Sequence, residues 1–457
     1  MGSANWYKID NVAKVFLATL GKRDTRSFRL SCTLKEDIDP ELLQQAVISA
    51  IEDRPQVQVR IRRGFFWHYM EDTDIMPVVK QEDDRICPLL YVPSKTMLHY
   101  QVTYFGKRIN LDISHVLADG TGGMEFLNII VLDYLRRKYP GEFEEVTVHS
   151  GASEGDLSQD SYRQFFGSKN LSHGPARKKA YHLSGLKLPY NQLQFFEIHM
   201  PTSQILPRAK EINVSLTSYL GALWMLSIRD DMPPRKRQLP VTISLPVNLR
   251  NYYPSKTARN FFNSVNVTHV FDSEISVEDL AKEFDKSFKS QLTEENIKKQ
   301  MDSFETMEYV GFVRVVPLFI KQWVVRHFTK KAAKKVSMTF SNMGVQKPPR
   351  QLGERIENYS GFVGYSGGVG GTPIIGYNLS RKYWGNGYMT EACLCLVNYL
   401  FSKGYSEISI DAVPENTASV RVIQKCGGIY LGTDENYYPR VKKTLLVNRY
   451  IIKKTES

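Results

Sequence analysis

The sequence predicts an α/β protein that folds as two or three units. Its 457 residues exceed the length of one ordinary domain. Stretches with the alternating pattern of strands are interspersed with stretches that have the three-to-four periodicity of helices. The glycine-rich segment 360–371 (SGFVGYSGGVGG) is the sharpest change in composition, and it separates a long first part from a short second part.

Residues 1–150 contain a clear series of strand and helix patterns. Asp39 and Pro40 precede an apolar periodic stretch, which is typical of a helix start because Asp can cap and Pro fits the first turn. Gly106-Lys107 separates two alternating stretches, which predicts a hairpin. The predicted strands are 26–34, 56–62, 65–70, 99–105 and 108–114, and the predicted helices are 38–53 and about 122–139.

The rest of the chain divides into four segments by composition. Residues 151–185 are polar and rich in Ser, Gly and Lys, so we expect a crossover linker. A second α/β block occupies 186–359, and the glycine-rich linker occupies 360–371. Residues 372–457 then run strand, helix, strand, helix, strand. Within the second block the predicted strands are 193–200, 240–245 and 265–271, and the predicted helices are 215–229 and 276–291.

The charge balance narrows the class of partner only slightly. Lys and Arg outnumber Asp and Glu by 60 to 48, which gives a net charge of +12. Because this excess of positive charge is spread along the chain, it is compatible with an anionic partner, such as nucleic acid or a lipid surface, but it does not indicate which one. No nucleic-acid-binding module is recognisable, so we expect no nucleic-acid partner.

The cysteines and the N-terminus indicate a reducing compartment. An odd number of irregularly spaced cysteines in a long chain favours free thiols over disulfides, and without a CxxC pair we expect no metal. The N-terminus lacks the apolar core of a signal peptide, and no apolar run reaches transmembrane length. We therefore expect a cytoplasmic protein. The cysteines are Cys32, Cys87, Cys393, Cys395 and Cys426.

A histidine, an aspartate and a glycine-rich turn lie together in SHVLADGTGG at 114–123. His115 ends a predicted strand, and a histidine can take the proton of a hydroxyl or amine that attacks a thioester, because its pKa lies near neutrality. Asp119, one turn later, can hold the local geometry through an arginine partner. An isolated HxxxD pattern equally fits a surface or core histidine. A metal site at His115 and Asp119 is a further alternative, although it lacks an apparent third ligand.

This segment resembles the HxxxDG motif of the acyltransferase superfamily that includes chloramphenicol acetyltransferase, peptide-synthetase condensation domains, the plant BAHD enzymes and the bacterial alcohol acetyltransferases. Three further segments follow in the family's order, and the similarity is greatest to the bacterial alcohol acetyltransferases. Arg250 stands where the partner of the motif aspartate is expected. The three segments are LPVNLRNYYP at 245–254, RNFFNSVNV at 259–267, and TFSNMGVQKPP at 339–349, which contains an SNxG element.

The resemblance implies a fold, a site and a co-substrate. Two chloramphenicol-acetyltransferase-like halves would be formed by 1–150 and 186–359, with the second half incomplete. His115 would be the base in a tunnel between the halves, and Asp119 and Arg250 would hold the site. The acyl donor would be acetyl-CoA or another acyl-CoA, and transfer would occur without a covalent enzyme intermediate.

A second pattern with chemical meaning lies in the last part of the chain. In IGYNLSRKYWGNGYMTEA at 375–392, a strand leads into a turn that contains Gly385 and Gly387 and then into a helix. Backbone N–H groups at such a turn, together with the helix N-terminus, can bind a pyrophosphate. ENTASVRVIQKCGG at 415–428 predicts a polar turn and another helix. A plain βαβα unit with a glycine turn explains the same pattern.

The segments at 375–392 and 415–428 resemble the GNAT acetyltransferases, within them the branch that acts on ribosomal-protein N-termini. The resemblance covers only the cofactor-binding half of a GNAT domain, a βαβα unit. Lys382 stands where that family has Gln or Arg at the start of the loop. The residues that the resemblance assigns to coenzyme A are Lys382, Gly385, Asn386, Gly387, Tyr388, Asn416 and Ser419.

The sequence thus predicts an acyl-CoA-dependent acyltransferase that moves an acetyl or similar acyl group to an alcohol or amine. Its acceptor would be a small molecule or a peptide. One alternative is a GNAT-type N-acetyltransferase that acts through the C-terminal unit. Another is an inactive fusion that only binds coenzyme A or a partner. The apolar and basic stretch 311–335 favours a core helix with a solvated basic end over a helix that contacts a membrane surface.

Overall fold

The protein is described by a computed structural model, whose described residues form two compact units. The first unit comprises the described residues up to 363, and the second those from 374 onward. The predicted strand at 193–200 lies outside the described residues except for its last position. The structure describes residues 6–21, 24–83, 85–147, 154–167, 178–183, 200–309, 315–346, 350–363, 374–375, 385–402, 407–438 and 443–454.

The first half of the first unit contains the predicted elements in their predicted order, and it also has a helix over Asn11–Thr19 and two short strands that the sequence analysis does not predict. Its helix over Pro40–Asp53 begins as predicted, because the Asp39 carboxylate accepts hydrogen bonds from the amides of Glu41 and Leu42 at 2.9 and 3.1 Å. The elements are β1 (Trp6–Lys8), α1 (Asn11–Thr19), β2 (Ser27–Leu34), α2 (Pro40–Asp53), β3 (Val59–Arg63), β4 (His68–Asp72), β5 (Lys80–Gln81), β6 (Tyr100–Phe105), β7 (Arg108–Ser114) and α3 (Gly120–Lys138).

The second half of the first unit is helix-rich. Its helix over Val277–Gln291 starts at Ser276, whose hydroxyl accepts from the Asp279 amide at 3.0 Å. The elements are α4 (Glu154–Ser158), α5 (Ser161–Gln164), α6 (Thr202–Glu211), α7 (Leu216–Asp231), β8 (Val241–Asn248), β9 (Phe262–His269), α8 (Val277–Gln291), α9 (Glu294–Tyr309), α10 (Leu318–Ala333), β10 (Met338–Thr339), α11 (Arg350–Gly353) and β11 (Ile356–Val363).

Each half has its own sheet and core. In the first half, the order β11-β2-β7-β6-β5 forms one sheet and β1-β4-β3 a smaller one. Helices α2 and α3 pack against each other and bury apolar side chains such as Leu43 and Val47. In the second half, the order β10-β8-β9 lies against α7 and α8, with Val241 and Phe284 fully buried. The mixed architecture confirms the predicted α/β class.

Strand β11 departs from the predicted segment boundaries. It pairs antiparallel with β2 in the sheet of the first half, with Ser360 opposite Ser31 and Val363 opposite Phe28. Residues 360–363, assigned to the glycine-rich linker, are therefore strand. Their small residues resemble a linker in composition, but pairing along β2 satisfies the backbone and covers a sheet edge that would otherwise be open.

The segment predicted as a crossover linker, 151–185, also contains ordered structure. Helices α4 and α5 lie within it. Ala180 and Tyr181 are buried, and their amides donate to the carbonyls of Lys334 and Pro240 at 3.0 and 2.8 Å. The polar composition of 151–185 does not predict that these few residues are buried and hydrogen-bonded.

The second unit is a small sheet with two helices. Strands β12 and β13 are parallel, and the other pairs are antiparallel in the order β12-β13-β15-β14. The predicted final strand is therefore a pair of strands. No helix among the described residues of the chain is both long and apolar enough to span a bilayer. The elements are β12 (Ile374–Ile375), α12 (Tyr388–Ser402), β13 (Glu407–Ala412), α13 (Thr417–Lys425), β14 (Ile429–Tyr438) and β15 (Lys443–Lys453).

Candidate active site

His115 lies at the end of β7, where the chain leaves the first sheet and turns into α3. The His115 amide donates to the Arg26 carbonyl at 2.7 Å, which extends the pairing one residue past the strand. The Leu117 amide then donates to the Ser114 carbonyl at 2.9 Å and closes a tight turn. Helix α3 begins directly after Asp119, which caps it. Both residues are therefore at the strand end and helix start where the sequence predicts them.

Aromatic rings from both halves surround the imidazole of His115. Its ring centroid lies 4.4 Å from that of Phe28 on β2 and 5.2 Å from that of Phe16 on α1. The Phe262 ring on β9, in the second half, lies at 6.4 Å. The side chain is only partly buried. His115 thus lies where the two halves meet, in apolar surroundings.

The surroundings of His115 keep its side chain neutral. Burial lowers its pKa from 6.5 to about 4, although the nearby Asp119 carboxylate acts in the opposite direction. Burial has this effect because the charged imidazolium loses its water. At neutral pH the ring therefore has a free nitrogen lone pair, which is the form that can accept a proton.

Asp119 uses both of its carboxylate oxygens for structure. Oδ1 accepts hydrogen bonds from the amides of Thr121 and Gly122 at 3.1 and 3.0 Å. Oδ2 accepts from Nη1 of Arg250 at 2.7 Å and from the amide of Phe261 at 2.9 Å. Each oxygen thus has two donors, so Asp119 is an anchor for the turn rather than a base.

Arg250 connects the turn of His115 to the second half. Its guanidinium donates to Asp119 and also to the carbonyl oxygens of Thr257 and Arg259, at 2.7 and 2.8 Å from Nη2. The side chains of Arg250 and Asp119 are only 12% and 7% exposed. The ion pair that the sequence analysis expects is therefore present, and it is largely buried.

Asn260 lies beside His115, although the sequence analysis assigns it no individual role. Its Nδ2 donates to the backbone carbonyl of His115 at 2.7 Å and lies 3.4 Å from Oδ2 of Asp10. Asp10 caps α1 by accepting from the Ala13 amide at 2.7 Å, and burial raises its pKa to about 7. Asn260 therefore ties the turn of His115 to the start of α1. The resemblance of 259–267 to the asparagine segment of the acyltransferase superfamily is the sequence feature that could have indicated this role.

Gly122 permits a close approach between the two halves. A β-carbon at Gly122 would lie 2.0 Å from the carbonyl oxygen of Ala258, which is backbone and cannot rotate away. We expect Gly122→Ala to destabilise the protein by about 1–3 kcal/mol or more, because overpacking displaces backbone. It should also lower acyl transfer, because Asp119 and His115 move with the start of α3. Thermal unfolding and thiol release would measure the two effects.

Gly120→Ala is the matched control for Gly122→Ala. A β-carbon at Gly120 would meet only the flexible side chain of Met343, whose Cε atom would lie nearest, at 3.2 Å. Its melting temperature should stay near that of the wild type. Equal melting temperatures for the two variants would contradict the packing argument.

The SNxG element lies beside the start of α3. Nδ2 of Asn342 donates to Oγ1 of Thr217 at 2.8 Å, and Oδ1 of Asn342 accepts from the Gly344 amide at 2.8 Å. Gly344 has a φ of +69°, a conformation that favours glycine. Since a β-carbon built at Gly120 would lie 3.2 Å from Cε of Met343, this segment borders the turn that carries Asp119.

The glycine turn of the second unit has a left-handed backbone at both of its glycines. Gly385 and Gly387 have φ values of +81° and +80°, and a β-carbon at either position would meet no atom within 4 Å. Helix α12 begins immediately afterwards, at Tyr388. The turn therefore lies at a helix N-terminus, the part of a helix whose backbone N–H groups favour an anion.

The positions of the other residues predicted to bind coenzyme A do not test that role. Asn416 caps α13, because its Oδ1 accepts from the Ser419 amide at 3.1 Å. Asn386 is exposed on the glycine turn. Lys382 lies outside the described residues. The assignment of these residues to coenzyme A stays a prediction.

Two family models match the chain. Residues 192–358 match the alcohol acetyltransferase family, and residues 317–429 match the GNAT acetyltransferase domain. The second match begins well before residue 372, where the sequence analysis places the start of the last unit. His115 and Asp119 precede both matches, so their roles depend on the geometry described above.

Short segments of the chain resemble curated bacterial proteins. The uncharacterised protein YkkB of Bacillus subtilis (strain 168) is 38% identical over 60 residues, which is 13% of this chain and 35% of that protein. The uncharacterised N-acetyltransferase p20 of Bacillus licheniformis is 39% identical over 54 residues, 12% of this chain and 30% of that protein. The chain thus spans about a third of the length of these relatives.

Solved structures of TRI101 share the fold. TRI101 of F. graminearum, complexed with coenzyme A and T-2 mycotoxin, aligns with a TM-score of 0.51 at 12% identity, over 79% of this chain and 89% of that chain. TRI101 of F. sporotrichioides, complexed with coenzyme A and T-2, aligns with a TM-score of 0.50 at 12% identity, over 78% and 88%. At this identity the likeness concerns the fold alone.

The fold and the two family matches agree with the combination that the sequence predicts. The alcohol acetyltransferase match covers the second half of the first unit, and the GNAT match extends through α13 of the second unit. The chain thus contains a region that matches the alcohol acetyltransferase family and an overlapping, later region that matches the GNAT acetyltransferase domain.

Proposed function

We propose that the chain is an acyl-CoA-dependent acyltransferase that moves an acetyl or similar acyl group to an alcohol or amine, with His115 as general base. The observation that carries this proposal is the position of a neutral imidazole where the two halves of the first unit meet. The alcohol acetyltransferase match over 192–358 supports the choice of an alcohol as acceptor.

His115 performs the proton transfers in this reaction. It removes the proton from the acceptor hydroxyl or amine as that oxygen or nitrogen forms a bond to the thioester carbonyl carbon. The imidazolium then returns this proton to the sulfur of coenzyme A as the carbon–sulfur bond breaks. The products are an ester or amide and free coenzyme A, and the enzyme regains its neutral histidine.

The apolar rings and the Asp119–Arg250 pair support this chemistry in different ways. Phe28 and Phe16 exclude water from one side of the imidazole, which keeps it neutral and protects the thioester from hydrolysis. Asp119 and Arg250 fix the turn, and the Asn260 amide holds the His115 carbonyl. These are positioning residues, because they touch the turn and not the reacting atoms.

Release of free thiol from acetyl-CoA tests the proposal. The purified protein would be incubated with acetyl-CoA and a panel of alcohols and amines, and the thiol would be measured with a chromogenic disulfide. Acceptor-dependent release, with the acetylated acceptor identified by mass spectrometry, is the expected result. Binding of coenzyme A without release on any acceptor would favour the inactive-fusion alternative.

A second candidate function is N-acetyl transfer through the second unit. The open glycine turn before α12 is the observation that favours a coenzyme A site there. Replacing Gly385 and Gly387 with valine strains a left-handed backbone and should remove this site. Calorimetric titration should then give one bound coenzyme A per chain where the wild type gives two. Unchanged stoichiometry would contradict a site at the turn.

A further inference from the structure

Helix α10 presents apolar side chains outward rather than to a core. Trp323, Phe319 and Phe328 are 69%, 60% and 63% exposed. Ile320 and Val324 are exposed beside them. Phe319 and Trp323 are four positions apart, as are Ile320, Val324 and Phe328, so the five side chains cover about half of the helix circumference. Leu318 is the one buried residue among the described positions of this helix. The core-helix interpretation of 311–335 is therefore not what the structure shows.

Two contacts join α10 to the first half. Nε of Arg326 donates to the carbonyl of Ala18 in α1 at 3.0 Å. Nζ of Lys321 lies 3.4 Å from the ring centroid of Trp67, a cation–π contact. These contacts hold α10 against the first half, so its outward side is a defined surface.

The turn between β3 and β4 extends this apolar surface. The Leu318 amide donates to the carbonyl of Phe65 at 2.9 Å, which places the turn at the start of α10. Phe65 and Phe66 are both exposed, and their rings pack edge to face with centroids 4.8 Å apart. Together with Phe319, Trp323 and Phe328, they form what we call the aromatic face.

The charged residues in the sequence around α10 are all basic. No Asp or Glu occurs between Tyr309 and Glu354. Lys330, Lys331 and Lys334 are exposed in and just after the last turn of α10. Aromatic and aliphatic side chains on one side of a helix, with lysines at its end, are typical of helices that lie in a membrane interface. Negatively charged lipid headgroups complement this charge, whereas a second copy would bring like charges together.

We propose that the aromatic face and its neighbouring lysines dock on an anionic membrane surface. The rings of Phe319, Trp323 and Phe328 enter the boundary between headgroups and acyl chains, and Lys330, Lys331 and Lys334 contact the lipid phosphates. The contact is peripheral, because α10 lies along the surface of the first unit and is anchored to it through Ala18 and Trp67.

Sedimentation with lipid vesicles tests this proposal on the full chain. Vesicles of phosphatidylcholine with phosphatidylglycerol should bind the protein, vesicles of phosphatidylcholine alone should bind it at least about tenfold more weakly, and added salt should weaken binding to the first. Replacing Phe319, Trp323 and Phe328 with serine should lower partitioning by about tenfold or more, because binding scales with the apolar area buried.

Phe105→Ser is the matched control, since Phe105 is also exposed but lies on β6, away from the aromatic face. It should bind vesicles like the wild type, and all variants should keep the wild-type melting temperature and acyl transfer in solution.

A second variant combines Lys330→Gln, Lys331→Gln and Lys334→Gln and leaves the apolar residues intact. Equal binding to neutral vesicles, or unchanged binding by the serine variant, would overturn the proposal. A dimer in sedimentation velocity that the serine variant abolishes would assign the face to self-association instead.

Discussion

Replacing His115 with alanine should lower the rate of acyl transfer by about 10²–10⁴-fold, the usual contribution of a general base. Coenzyme A affinity should change little, because the side chain acts on the acceptor proton and not on the cofactor phosphates. Steady-state thiol release gives the rate, and calorimetric titration gives the affinity. The rate of the wild type with an alcohol should rise with pH through about 4, where His115 loses its proton, and stay level through neutrality.

His182→Ala is the control for this substitution. His182 is exposed on the surface of the first unit, so its loss should leave the rate unchanged. In the His115→Ala variant, the rise of the rate near pH 4 should disappear together with most of the activity. A variant that keeps the wild-type rate on alcohols would show that the first unit does not carry the chemistry.

Replacing Arg250 with alanine should destabilise the protein by about 3–5 kcal/mol, because the Asp119 carboxylate would remain buried without its charge partner. The loss of the hydrogen bonds to Thr257 and Arg259 leaves two further acceptors with fewer donors. Activity should fall as well, because the turn of His115 loses its anchor. Chemical denaturation monitored by circular dichroism would measure the free energy of unfolding.

Two comparisons separate this effect from the general loss of an arginine. Arg85→Ala removes a pair with Asp83 in which both side chains are mostly exposed, so it should cost about 1 kcal/mol or less. The double variant Asp119→Ala/Arg250→Ala should lose less stability than the sum of the single variants, because neither charge is then left alone. Strict additivity would contradict a coupled pair.

The sequence alone predicts the positions of those site residues that depend on a local pattern of residues. A strand end before HVLADG places His115 and Asp119 at a strand-to-helix turn, and the structure has them there. Arg250 is 131 positions from Asp119 and could be paired with it only through the resemblance, since nothing local joins them.

Other features depend on tertiary contacts that leave no periodic signal. Phe16 and Phe28 reach His115 from different elements, and any apolar residue there would give the same local pattern. Strand β11 reads as a linker, because its small residues have low strand propensity and only the pairing with β2 makes it a strand. The outward side of α10 has the periodicity of a core helix, and periodicity does not say whether a partner covers it.

Thiol release by three proteins side by side is the most direct test of the account. The wild type, His115→Ala and Gly385→Val/Gly387→Val would be assayed with acetyl-CoA and the best acceptor from the alcohol and amine panel. The account predicts that the histidine variant loses nearly all transfer while the double-glycine variant keeps it. A double-glycine variant without activity, beside a histidine variant at the wild-type rate, would contradict the account and place the reaction in the second unit.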